Sequence, residues 1–170
     1  MFAAKRLVPI VILVSTISAI GNCQVPQSES DLRFQVGLLN DVKPNLMSVL
    51  QFVSHNVTYW EADPRAASVW HYPIETISQG AGDCKDYSSL TIQILHLLGI
   101  DARFIGAEIR NRSTGEISGH ALISINGQYY EPQNPTGEVQ YDVVRVFWNW
   151  SYQEMRKHLL EVRKNGVPHL

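Results

Sequence analysis

Residues 80–99 read GAGDCKDYSSLTIQILHLLG. A Gly-rich turn ends at Asp83, Cys84 follows at once, and an apolar-periodic run begins. Asp83 suits the N-cap of a helix, where a side-chain oxygen takes one of the first unpaired amides, and Asp86 adds negative charge to the first turn. Leu90, Ile94, Leu97 and Leu98 recur at helical spacing, with Ile92 and Leu95 widening the apolar face. Gly99 is the stop that a left-handed cap provides. The pattern predicts a largely buried helix with Cys84 in its first turn. Amides at a helix N-terminus stabilise an anion, so a thiol placed there ionises more readily. A free cysteine is equally at home as a small buried hydrophobe, so the rest of the chain has to decide.

Downstream, Ala102 to Arg110 carries Phe104, Ile105, Ala107 and Ile109 and reads as a strand, followed by the turn-forming run Asn111 to Gly115. Next come Gly119 to Ile125, Asn126-Gly127, and Gln128 to Pro132. Asn-Gly between two strand-like runs is a strong hairpin signal. Pro135 and Gly137 interrupt the chain, Tyr141 to Phe147 reads as a further strand, and Ser151 to Lys164 as an amphipathic helix with Met155, Leu159, Leu160 and Val162 on its apolar face. Upstream, Leu32, Val36 and Leu39, then Leu46, Val49, Leu50 and Val53, read as helix restarted at Pro44. Residues 56–65 read as irregular, with a short helical turn over residues 64–69. The aromatics of Trp70-His71-Tyr72-Pro73 suit packing beneath a loop better than the wall of a cleft. Helices first and an antiparallel sheet after them make an α+β plan.

The hairpin serves as a ruler. With a two-residue turn, Ile125 pairs with Gln128, Leu122 lies opposite Glu131, and His120 lies opposite Gln133, all four of the latter on one face. Glu131 is then the diagonal neighbour of His120, with Cα atoms about 7–8 Å apart and within reach of long side chains. A carboxylate beside a histidine fixes its tautomer and stabilises its imidazolium. That is what a thiol nucleophile requires: a base in contact and an orienting group behind the base. A lone strand histidine is more often structural, but here it follows a helix-opening cysteine and precedes a same-face carboxylate. His55, His71, His96, His158 and His169 show no metal-ligand spacing, so neither a metal nor a cofactor is expected.

Composition bounds the setting. The 170 residues, 45% hydrophobic and 18% charged, suit a single globular domain. Fourteen basic against sixteen acidic residues give no nucleic-acid footprint and no polybasic membrane patch. Lys5 and Arg6 precede an apolar run from Leu7 to Gly21, shorter than the about 20 residues of a spanning helix but suited to a signal-peptide core. Residues 1–21 therefore read as a signal peptide cleaved after Gly21, an uncleaved anchor, or the leader of a lipid-modified Cys23; residues 22–30 read as a polar spacer and residues 31–170 as the domain. The expected setting is extracytoplasmic, secreted or tethered at the N-terminus. A Cys23–Cys84 disulfide would silence the helix-opening thiol and is not expected. Asn-x-Ser/Thr sequons at Asn56, Asn111 and Asn149 carry little weight, since such triplets arise by chance.

The run from Tyr72 to Ile109 resembles the core of the transglutaminase-like superfamily of cysteine enzymes. Members show Pro-x-Glu-Thr, a Gly-Asp-Cys-x-Asp motif opening the core helix, and Leu-Gly-Ile-x-Ala-Arg leading into a strand. These stand here at Pro73 to Thr76, Gly82 to Asp86 and Leu98 to Arg103. The later GHALISINGQYYEPQ is similar to the segment carrying the family histidine and acidic residue. The resemblance covers residues 70–136 and implies a papain-like fold, a central cysteine helix packed on an antiparallel sheet, with Cys84, His120 and Glu131 as the catalytic set. The third position departs from the family's Asp-Pro-Thr, because Asn134-Pro135-Thr136 stands in its place. Glu131 is favoured over Gln133 or Asn134, since a charged group stabilises imidazolium better than an amide. Gln79 is a further oxyanion candidate beside the Cys84 amide.

The resemblance implies attack of the thiolate on a peptide or isopeptide amide, forming an acyl-thioester. Water or an amine then resolves it. The chain has no room for the extra β-domains of large crosslinking members, so a small exported hydrolase acting on protein, peptide or cell-envelope substrates is expected. Transfer to an amine and an inactive binding module of the same fold are the alternatives.

Overall fold

The computed structural model describes residues 45–60 and 69–165, with side chains as far as residue 162. Expectations for Leu32 to Leu39, for the turn over residues 64–68 and for the N-terminal segment lie outside these residues. Among the described residues no helix is long and apolar enough to cross a membrane.

The elements run in chain order as α1 (Leu46–Asn56), β1 (Thr58–Tyr59), α2 (Pro73–Gln79), β2 (Ala81–Gly82), α3 (Cys84–Leu97), β3 (Arg103–Asn111), β4 (Ile117–Ile125), β5 (Gln128–Tyr130), β6 (Tyr141–Trp150) and α4 (Tyr152–Asn165). Four strands form one antiparallel sheet in the order β5-β4-β3-β6. The α+β reading stands.

The central helix follows its sequence closely. Asp83 caps α3, its side chain accepting from the Lys85 and Asp86 amides, and the Asp86 carboxylate in turn accepts from the Asp83 amide at 3.2 Å. Two first-turn donors and the cap amide are thus satisfied reciprocally. Leu90, Ile92, Ile94 and Leu95 are buried, and Gly99 takes φ 74 just past the helix end. The hairpin turn has φ 52 at Asn126 and φ 82 at Gly127, the double positive φ that a type I′ turn requires.

Two elements escaped the sequence reading. Helix α2 begins with Pro73 at its first position, is closed by the Tyr72 amide donating to Glu75 Oε2 at 2.8 Å, and ends at Gly80 with φ 64. All three boundary signals are present in the sequence, but seven residues are too few for a helical apolar period to show. The second is a parallel ladder of two pairs, Thr58 with Ala81 and Tyr59 with Gly82, where residues 56–65 were expected to be irregular throughout. It lays β1 beside the turn that leads into Cys84.

Between the helices and one sheet face lies the main core, which includes Leu50, Val53, Leu90, Ile94, Phe104, Ile123 and Met155. The opposite face holds a smaller cluster of Ile105, Ala107, Ile109 and Leu122, with Tyr129, Tyr141 and Val143 against it. Trp70 is buried among Phe104, Trp148, Trp150 and His158, with ring centroids 4.9–6.3 Å apart, so it packs the core. One helix face needs correction: Leu160 is 45% exposed. Met155, Leu159 and Val162 define the buried stripe, and Leu160 lies about 100° further round the helix.

Strand β6 changes phase. Pairing with β3 shifts between Gly106 and Ala107 and again between Glu108 and Ile109. Alternation along the strand sets Trp148 and Trp150 in the main core and Tyr141 and Val143 on the other face, and the two shifts, each reversing the facing, together leave that arrangement unchanged. The Trp148 ring fills the space above Gly106, where an added Cβ would lie 2.3 Å from Trp148 Cε3. Gly106→Ala must displace that ring from its stack with Trp150. A loss of about 1–3 kcal/mol is expected, the usual range for overpacking, read as a lower denaturation midpoint at unchanged slope.

Candidate active site

Cys84 is the first residue of α3, half-buried and in no disulfide. His120 projects from β4, where it pairs with Ala107 of β3. Glu131 directly follows β5 and is buried. The ladder between β4 and β5 holds the expected register at Ile125–Gln128 and continues to Ile123–Tyr130. It then stops, so the pairs projected beyond it, Leu122 with Glu131 and His120 with Gln133, are not formed. Pro132 has no amide to donate, and residues 131–137 turn instead, with the Glu131 amide donating to the Gly137 carbonyl at 3.0 Å.

The turn nevertheless delivers the carboxylate. His120 Nε2 lies 2.7 Å from Glu131 Oε2, with side chains only 14% and 11% exposed. Glu131 Oε1 accepts from the Gln133 amide at 3.1 Å, and Tyr141 Oη donates to Oε2 at 2.7 Å. Burial by itself would lower the pKa of His120. Hydrogen bonds to the Cys84 thiol and to Glu131, together with their charges, outweigh it and hold the imidazole up to about 9. Nε2 is the ring nitrogen that faces Glu131.

The other candidates for the third position are differently engaged. Asn134 Oδ1 accepts from the Thr136 amide and hydroxyl at 3.0 and 2.9 Å, and its Nδ2 donates to the Glu138 carbonyl. Gln133 reaches Glu131 only through its backbone, and its Nε2 is buried without a partner. Gln79 is exposed at the end of α2. Among the described residues no group of three His, Cys, Asp or Glu is placed to hold a metal ion.

A second histidine–carboxylate pair braces the same helix end. His71 Nδ1 lies 3.0 Å from Asp86 Oδ2, and the His71 amide donates to Oδ1 at 3.2 Å. Burial, then the nearby Asp83 charge, raises the Asp86 pKa, while His71 and Lys85 oppose the rise. Lys85 is itself buried and ion-paired with Asp83. Close by, an added Cβ on Gly82 would meet Asp86 Cβ at 2.7 Å, which leaves glycine the residue that fits there.

An open cleft of about 740 Å³ adjoins His120, Glu131 and Tyr141 and runs out past Glu116, Gln133 and Glu138. Cys84 is not among the residues that line it.

Residues 32–132, more than half of the chain, match the family described as transglutaminase-like domain. The chain belongs to this family. Among solved structures it is similar to LapG of Legionella pneumophila, with 19% identity over 81% of this chain and 88% of that one, and a TM-score of 0.52. The EGTA-treated form of LapG is similar over 74% and 78%, also at 19% identity, with a TM-score of 0.50. These likenesses carry the fold. A candidate cysteine protease from Cytophaga hutchinsonii is 15% identical over 69% of this chain, with a TM-score of 0.47, and the chain spans 42% of its length. No curated protein matches.

Proposed function

We propose that this protein is a cysteine acyl-transfer enzyme that cleaves peptide or isopeptide amides, with Cys84 as nucleophile, His120 as acid–base and Glu131 as its orienting carboxylate. The observation that carries the proposal is the 2.7 Å contact of His120 with the buried Glu131 carboxylate, with Cys84 at the start of α3 and both Cys84 and Glu131 raising the His120 pKa to about 9.

His120 takes the Cys84 proton, and the resulting thiolate attacks the amide carbonyl carbon. The carbonyl π electrons move to oxygen. The developing oxyanion is offered the Cys84 amide at the start of α3, because the Asp83 side chain occupies the Lys85 and Asp86 amides instead. As the C–N bond breaks, the imidazolium gives its proton to the departing amine and an acyl-thioester remains. Water then attacks the thioester with His120 as base, releasing the acid and the thiol. Water is in vast excess over any amine, so hydrolysis is the proposed outcome; a primary amine is the competing acceptor.

The apolar run Leu7 to Gly21 behind Lys5 and Arg6 supports an extracytoplasmic setting and protein, peptide or cell-envelope substrates. The test is a panel of peptide and isopeptide amides incubated with the protein, with and without a primary amine, products read by mass spectrometry. Appearance of free acid supports hydrolysis, and an amine adduct would move the reading to transfer. A Cys84 that reacts with iodoacetamide at pH 7 no faster than a free thiol, and no slower after His120→Ala, would sink the enzyme reading and leave a binding module.

A further inference from the structure

Resting on that reading of the site, we propose that Tyr141 is a positioning residue of the catalytic machinery, its phenol holding Glu131 against His120. Three segments distant in sequence meet here. His120 comes from β4, Glu131 from the turn after β5, and Tyr141 from the first position of β6. Tyr141 Oη donates to Oε2 of Glu131 at 2.7 Å, the same oxygen that faces His120 Nε2 at 2.7 Å. The Tyr141 ring also meets the His120 ring edge-on, with centroids 5.1 Å apart at 77°. One side chain thus fixes the carboxylate by its hydroxyl and limits the imidazole by its ring.

The surroundings explain why such a brace is needed. Glu131 stands at the end of a ladder, in a turn, on the edge of an open polar cleft. Among the described residues Oε1 accepts only from the Gln133 amide, at the edge of that cleft. Tyr141 is itself well anchored: Arg112 Nε donates to Asp142 Oδ1 at 2.9 Å and Arg112 Nη1 to the Val139 carbonyl at 3.3 Å, tying down the residues around it. Burial, then the Glu131 charge, keeps the phenol protonated far above the usual tyrosine range, so it remains a donor wherever the enzyme would work.

The test is Tyr141→Phe, which keeps the ring and removes the hydroxyl. The His120 imidazole is titrated by NMR, and Cys84 alkylation by iodoacetamide is timed at pH 7. Positioning predicts a His120 midpoint lower by about one pH unit, a tenfold loss of proton affinity, and alkylation slowed by roughly three- to tenfold. A midpoint that is unchanged or higher overturns the proposal, because it would mean that the hydroxyl merely competes with His120 for Oε2. Tyr141→Leu, removing hydroxyl and ring, must shift the midpoint at least as far as Tyr141→Phe; a smaller shift also overturns it. Neither readout needs a substrate. If the wild type cleaves no amide yet the midpoint falls, the enzyme reading fails and the positioning role stands; if the wild type cleaves and the midpoint holds, only the positioning role fails.

Discussion

Cys84→Ala is expected to lower amide cleavage by about 10⁴-fold or more, the scale on which covalent catalysis collapses when its nucleophile is removed. Cys84→Ser is expected to do nearly as badly, and the reason is specific to this site. A serine hydroxyl needs a neutral imidazole to take its proton as it attacks. Replacing the thiol also removes the Cys84 hydrogen bond and charge that help to hold His120 up to about 9, and a hydroxyl is a far weaker acid than a thiol, so no ionised nucleophile stands ready. Both variants are expected to fold, since Cys84 is half-buried at a helix end whose caps are Asp83 and Asp86. The measurement is turnover on the best amide of the panel, with circular dichroism to establish folding. A Cys84→Ala protein that is folded and keeps more than about 1% of wild-type turnover would mean that the reaction does not pass through the thiol.

The parts of the site legible in the sequence were those set by short-range rules. An Asp before a Cys before an apolar period can only be read as a capped helix, and the Gly82-Asp83-Cys84 turn follows. Asn126-Gly127 fixes the hairpin register, and that register places His120 near Glu131. The ruler was extended too far, however. It assumed strand geometry past Tyr130, whereas Pro132 ends the ladder; the contact forms because the turn swings Glu131 inward. Tyr141 could not be read at all. Its place beside His120 depends on how β6 returns along β3 after the turn at residues 131–137, a long-range pairing that no local pattern sets. His71 was hidden for a similar reason: its partner Asp86 is fifteen residues away, and only the fold of α2 onto α3 joins them.

Glu131→Gln carries the second large effect, and its pH dependence has a definite sign. His120 has a folded pKa raised from 6.5 to about 9. A raised pKa means that the folded state binds the proton more tightly than the unfolded chain. Its contribution to stability is therefore fully present below pH 6.5 and is lost as the pH climbs through about 9. A rise of that size corresponds to about 3 kcal/mol, shared between the Cys84 and Glu131 contacts. Glutamine keeps the shape and one acceptor oxygen but removes the charge, and burial, which opposes protonation, then gains the upper hand. The His120 midpoint is expected to fall by more than about one pH unit, and stability at pH 6 by about 1–2 kcal/mol. Turnover near neutral pH should drop by about 10²–10⁴-fold, as when other orienting carboxylates become amides. The stability gap between wild type and variant should close as the pH passes 9, because His120 is then neutral in both. Denaturant titrations at pH 6, 8 and 10 decide it: a gap that stays constant across that range would mean that Glu131 acts by packing alone, with no imidazolium to stabilise.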